Sequence, residues 1–268
     1  MNNSCICVPV HEPKFNWAKQ FVESYNKHFD DDHIFLIFSN QKGCNIFKES
    51  NPTLKYQAII FNGPEYNGHR LGDPTITLKK WYGVNQIYKT TNMKYVGVVD
   101  ADSCFIANKN YSELFDAYYT NKILYGHFTK ESIVAQIHQD SISFFNKAQY
   151  EIISNKVCKQ GRVFYFWFNN IPIYERNDFA EFKTILNSNS GILTFHTFDY
   201  IVYGYYLLLK DKFEMYNFDN AHEQFSILEQ SNNSSILEII QPMWLRKKYV
   251  TTNSVILKNV FMSLHLDH

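Results

Sequence analysis

The sequence predicts an α/β fold with a mostly parallel central sheet flanked by helices, followed by a smaller β/α portion. Three observations carry that expectation. Four short apolar runs fall within the first hundred residues, helical periodicity separates them, and turn-forming or polar residues end each run. Continuous apolar strands alternating with helices indicate a parallel sheet covered on both faces.

The first run, Cys5 to Val10, is ended by Pro9 and the polar pair His11-Glu12. A helix follows, with Trp17, Phe21 and Tyr25 on one face and Lys19, Glu23 and Lys27 on another. Ile34 to Phe38 is a second strand, stopped by Ser39-Asn40, and Ala58 to Phe61 is a third, stopped by Asn62-Gly63-Pro64. After a polar loop up to Pro74, Thr75 or Thr77 caps a helix whose inner stripe is expected to include Leu78, Trp81, Tyr82 and Tyr88. Tyr95 to Val99 is the fourth strand, with Asp100 at its end.

Beyond Asp102 the pattern is less regular. Val163 to Phe168 is an aromatic run, Ile171 to Tyr174 a short strand, Asp178 to Leu186 a helix, and a further helix runs from near Thr197 to Leu209. Residues 231–235 form a polar loop. No internal repeat or long linker divides the chain, so residues 1–268 are expected to form one domain.

Composition narrows the function. A balance of 26 basic and 26 acidic residues argues against a nucleic-acid binder, which carries a basic excess to neutralise phosphates. Five cysteines without a C-x-x-C pair suggest neither a disulfide framework nor a zinc site, and a reducing cytoplasm is the simplest home. No apolar run approaches the roughly 20 residues that cross a bilayer, and the N-terminus has no basic leader. The aromatic share of 17% fits either ordinary cores or a carbohydrate site, where rings cover the C–H faces of sugars.

In open α/β sheets ligands bind beyond the carboxyl ends of the strands. Pro9-His11, Ser39-Asn40, Asn62-Gly63 and Asp100-Ala101-Asp102 all lie there. The Asp-x-Asp pair carries most weight, because two carboxylates at a strand end can hold a hard divalent cation. Such a cation neutralises a departing diphosphate.

The stretch Tyr95-Val-Gly-Val-Val-Asp-Ala-Asp-Ser-Cys-Phe105, preceded by Leu78-Lys-Lys-Trp-Tyr82, resembles the GT-A glycosyltransferases, in particular bacterial or viral transferases of capsule and lipopolysaccharide. The resemblance implies a Rossmann-like nucleotide-sugar half over 1–110 and an acceptor half with a C-terminal tail over 111–268. It also implies a UDP-sugar donor, a glycan or lipid-linked saccharide acceptor, and Mn2+ or Mg2+ held by Asp100, Asp102 and His265. Pro9, His11, Ser39 and Asn40 would meet the base and ribose, with Ala101 beside them, and Lys80, Lys79 or Arg70 the diphosphate. Asp199, with Glu223 as competitor, would be the catalytic base of an inverting enzyme. An acid in a helix's first turn is also favoured by the helix dipole alone. Tyr165 and Trp167 would form an acceptor wall, and Arg246-Lys-Lys248 a peripheral contact with anionic lipid. Two alternatives stand beside this: a haloacid dehalogenase-type phosphatase using Asp100 and Asp102, and a non-catalytic carbohydrate-binding protein. The phosphatase is disfavoured by three β/α units before Asp100, where its nucleophilic strand would open the domain.

Overall fold

The computed structural model describes residues 3–63, 75–105, 110–166, 172–188, 193–217 and 262–263. In chain order these form β1 (Ser4–Pro9), α1 (Phe15–His28), β2 (Ile34–Phe38), α2 (Gln41–Ser50), β3 (Gln57–Ile60), α3 (Thr75–Thr90) and β4 (Tyr95–Val98). They continue with β5 (Cys104–Phe105), α4 (Tyr111–Asn121), β6 (Ile123–Thr129), α5 (Ser132–Ile142), α6 (Lys147–Val157), β7 (Cys158–Lys159) and β8 (Arg162–Tyr165). The remaining elements are β9 (Ile173–Glu175), α7 (Arg176–Ser188), α8 (Asp199–Leu209), β10 (Glu214–Asn217) and β11 (Met262–Ser263).

The main sheet has the order β3-β2-β1-β4-β9. Its first four strands are parallel, with Ile6 opposite Ile34 and Gly97. The chain therefore builds outward from β1 to β3 and then crosses back to lay β4 on the other side of β1. That reversal makes a topological switch point at the carboxyl ends of β1 and β4, the position at which open α/β sheets bind their ligands. Strands β1 and β2 are buried along their whole length, which is why they read as unbroken apolar runs. Helix α3 lies close on the sheet because Gly83 has no side chain: a Cβ there would come within 2.1 Å of Ile37 Cδ1. On the other face Phe115 of α4 fills the space over Gly97.

Two expectations need correction. The inner stripe of α3 is Thr77, Trp81, Val84 and Ile87, while Leu78 faces solvent and Tyr82 and Tyr88 are half-buried. Lys79 is inside instead, because its ammonium finds oxygen partners just past the carboxyl ends of β1 and β2. Among the described residues beyond Asp102 the structure is also more regular than the sequence suggests. Helix α4 has the stripe Tyr111, Leu114, Phe115 and Tyr118 behind an Asn110 cap, and a second sheet has the order β10-β6-β8-β7. The strand expected at 171–174 is β9, which pairs antiparallel with β4 and closes that edge.

Helix α8 is buried on almost every side. Its tyrosines are core residues whose hydroxyls are all satisfied: Tyr200 with Tyr118 (2.9 Å), Tyr203 with Tyr119 (2.8 Å), Tyr205 with His138 (2.7 Å) and Tyr206 with Glu181 (2.7 Å). These tyrosines, like the buried phenylalanines of the core, fit the ordinary-core alternative. Among the described residues, no helix is long and apolar enough to cross a membrane.

Candidate active site

Strand β4 delivers Asp100 and Asp102 just past its carboxyl end, beside the end of β1. Asp100 is 41% exposed at its side chain, whereas Asp102 is 9% exposed overall and Ala101 between them is buried. From α3, Lys80 reaches the end of β4. Its Nζ lies 3.0 Å from Asp100 Oδ1 and 3.6 Å from Asp199 Oδ1, and its side chain is only 12% exposed. Burial works against the Lys80 ammonium, but Asp100 and Asp199 together outweigh it and hold the lysine charged.

Asp199 opens α8 and is 3% exposed. The Tyr174 hydroxyl, from β9, donates to its Oδ2 at 2.7 Å. A helix N-terminus lowers a carboxyl pKa, but here desolvation is the largest influence and the pKa of Asp199 is raised, against the opposing pull of Lys80 and Tyr174. The start of α8 is tied to α3 by Thr77, whose hydroxyl donates to the Thr197 carbonyl at 2.6 Å. The Thr197 hydroxyl in turn accepts from the Thr194 amide at 3.1 Å. Lys80 and Asp199 are thus brought together by a clasp between two helices far apart in sequence.

Of the other expected site residues, Pro9, His11, Ser39 and Asn40 lie at or just past the carboxyl ends of β1 and β2. Pro9 is the last, buried residue of β1. His11 follows it, with a pKa lowered to about 3, first by burial and then by Lys79, so its imidazole is neutral at physiological pH. Ser39 is buried and accepts from Lys79 Nζ at 2.7 Å, while the same ammonium also donates to the Val10 carbonyl. Lys79 therefore braces the ends of β1 and β2. Asn40 is the N-cap of α2, accepting from the Gly43 amide at 2.8 Å. Tyr165 stands on β8 with its ring against His127. Arg70, Trp167, Glu223, Arg246, Lys247, Lys248 and His265 lie outside the described residues.

Two contributors carried no sequence signal. Tyr174 reaches Asp199 only because β9 turns antiparallel along β4, and the Thr77–Thr197 clasp spans 120 positions. The C-terminal strand β11 is placed by pairing too. It runs antiparallel to β5, with Met262 opposite Phe105 and Ser263 opposite Cys104, immediately past the Asp-x-Asp pair.

The described residues gather no ready metal shell of three or more His, Cys, Asp or Glu side chains. Asp100 and Asp102 supply two carboxylates, whose hard oxygens fit Mn2+ or Mg2+. A cysteine nucleophile is not built here either. Cys158 Sγ lies 3.4 Å from His138 Nε2, but burial raises the thiol and lowers the imidazole to about 4, so both stay neutral as a core contact.

No protein-family model matches the chain, and no curated protein matches it. Among solved structures it is similar to core-mannan synthase A from Aspergillus fumigatus in its Mn/GDP form. The identity is 12%, 81% of this chain and 73% of that chain are covered, and the TM-score is 0.42. At that distance the likeness transfers no residue role and no substrate.

Proposed function

We propose that the chain is a metal-dependent glycosyltransferase of GT-A type, moving a sugar from a nucleoside diphosphate donor, a UDP-sugar, to a glycan or lipid-linked saccharide in surface polysaccharide synthesis. The observation that carries this is the placement of Asp100 and Asp102 at the end of β4, where strand order 3-2-1-4 makes a topological switch point. A basic side chain, Lys80, stands at the same place to meet a diphosphate.

Under this proposal Asp100 and Asp102 would hold Mn2+ or Mg2+, which when bound would supply positive charge to a diphosphate leaving group. His265 is proposed as a third ligand. It follows Ser263 by two residues, and Ser263 pairs with Cys104, itself two residues past Asp102. Pro9, His11 and Ala101 border the space for base and ribose. Ser39 and Asn40 shape that space mainly through their bonds to Lys79 and α2. Asp199 is proposed as the base that takes the acceptor's proton, giving inversion. Its raised pKa makes it a stronger base than a free aspartate, and its Oδ1 becomes available once Lys80 turns to the diphosphate. Glu223 is the alternative base. The acceptor half is residues 111–268, with Arg246-Lys-Lys248 as contact to an anionic lipid surface and the cytoplasm as location.

A screen of sugar nucleotides for slow hydrolysis by the purified protein tests the proposal. Hydrolysis of a sugar nucleotide that stops in excess EDTA is expected. Turnover of simple phosphate esters, with every sugar nucleotide left intact, would instead favour a phosphatase.

A further inference from the structure

Asp100 is claimed twice. Lys80 Nζ sits 3.0 Å from its Oδ1, and the proposed function, on which this inference rests, asks the same carboxylate to hold a divalent cation. A cation on Asp100 would lie within about 5 Å of the ammonium if Lys80 stayed in place. Even with water's dielectric constant, a double and a single positive charge at that separation repel by enough to weaken binding about tenfold or more.

Lys80 has somewhere else to go. Asp199 Oδ1 lies 3.6 Å from the same nitrogen, is almost fully buried, and is fixed from behind by the Tyr174 hydroxyl and by the Thr77–Thr197 clasp. A small swing exchanges one carboxylate for the other. A nucleoside diphosphate bound there would add a third anionic partner.

We infer that Lys80 and a divalent cation compete for Asp100, that Asp199 is the position to which Lys80 retreats, and that a diphosphate relieves the competition by engaging the ammonium. Lys80 therefore adds to the positive coupling between metal and nucleotide. Asp199 acts here as a positioning residue, before any role toward the acceptor.

The test is titration with Mn2+, following free Mn2+ by electron paramagnetic resonance, on the full chain with and without UDP. Lys80→Met is expected to tighten Mn2+ binding without UDP, by up to about tenfold since Lys80 can retreat in wild type, and to reduce the further tightening that UDP causes. Asp199→Asn is expected to do the opposite, weakening Mn2+ alone, because Lys80 then has only Asp100 to pair with. A purely structural role would not give the two substitutions opposite signs. The double variant Lys80→Met/Asp199→Asn leaves neither charge of the buried pair stranded, and it should bind Mn2+ alone more tightly than wild type. Unchanged or weaker Mn2+ binding in both folded Lys80 variants, with wild type still binding Mn2+ and UDP together, overturns the inference and leaves the proposed function standing. A wild type that binds no Mn2+ even with UDP overturns both.

Discussion

Replacing Lys80 by methionine should destabilise the protein by a predictable amount, with a predictable pH dependence. The side chains of Lys80 and Asp199 are 12% and 4% exposed, so the substitution strands a carboxylate in the interior. Breaking a buried pair by removing one partner costs about 3–5 kcal/mol. Proton uptake sets an independent ceiling. Holding Asp199 protonated at pH 7 against an unfolded pKa near 4 costs about three units, or roughly 4 kcal/mol. Together they put the cost at about 3–4 kcal/mol. In the variant, burial still raises the Asp199 pKa while the opposing Lys80 is gone. The folded state then keeps a proton that the unfolded state has released, so stability falls as pH rises from about 4 towards the folded pKa. The gap to wild type should be small near pH 4.5 and reach its full size at pH 7.5. Urea denaturation in EDTA at both values measures it, and adding Asp199→Asn should restore at least half of the loss. A cost below about 1 kcal/mol at pH 7.5, or an equal cost at both values, would refute the buried pair.

Further expectations follow from the same structure. Asp199→Asn should lower turnover at saturating metal by about a hundredfold or more, the low end for a lost general base, and an active Asp199→Asn beside a dead Glu223→Gln would pass the role to Glu223. His138 is held to a pKa of about 4 by burial, so between there and its unfolded value near 6.5 the unfolded chain binds the extra proton and stability rises with pH. Substituting it with glutamine should flatten that acid limb by up to one proton, and an unchanged slope in denaturation at stepped pH would place its titration elsewhere. Gly126 lies where a Cβ would meet the Tyr165 carbonyl oxygen at 2.3 Å, a backbone atom of the neighbouring strand that cannot rotate aside. Gly126→Ala should therefore cost about 1–3 kcal/mol, and a thermal melt superimposable on wild type would contradict the close approach.

The parallel half of the fold was legible because β1, β2 and β4 are covered on both faces and so carry unbroken apolar runs. The Asp-x-Asp pair was legible for the same reason, as the first charges after such a run. The second sheet was not. Strands β7, β8 and β10 are two to four residues long and partly exposed, which leaves too few positions for a period to show. Lys79 and Leu78 read the wrong way round because hydropathy favours the leucine inward, whereas two oxygen partners at the ends of β1 and β2 outweigh that preference for the lysine. Lys80 was one of three basic residues, with Lys79 and Arg70, expected near the diphosphate, but its pairing with both Asp100 and Asp199 depends on how α3, β4 and α8 meet. Contacts of that kind leave no local mark in a sequence.

Calorimetric titration of UDP with and without Mn2+, on wild type and Asp102→Ala, tests the central claim most directly. Wild type should bind UDP measurably more tightly with Mn2+, and Asp102→Ala should lose that gain while keeping the wild-type circular dichroism spectrum. Binding of UDP that ignores Mn2+, or an Asp102→Ala protein with the full metal-dependent gain, would contradict a metal-assisted nucleotide-sugar site at the end of β4.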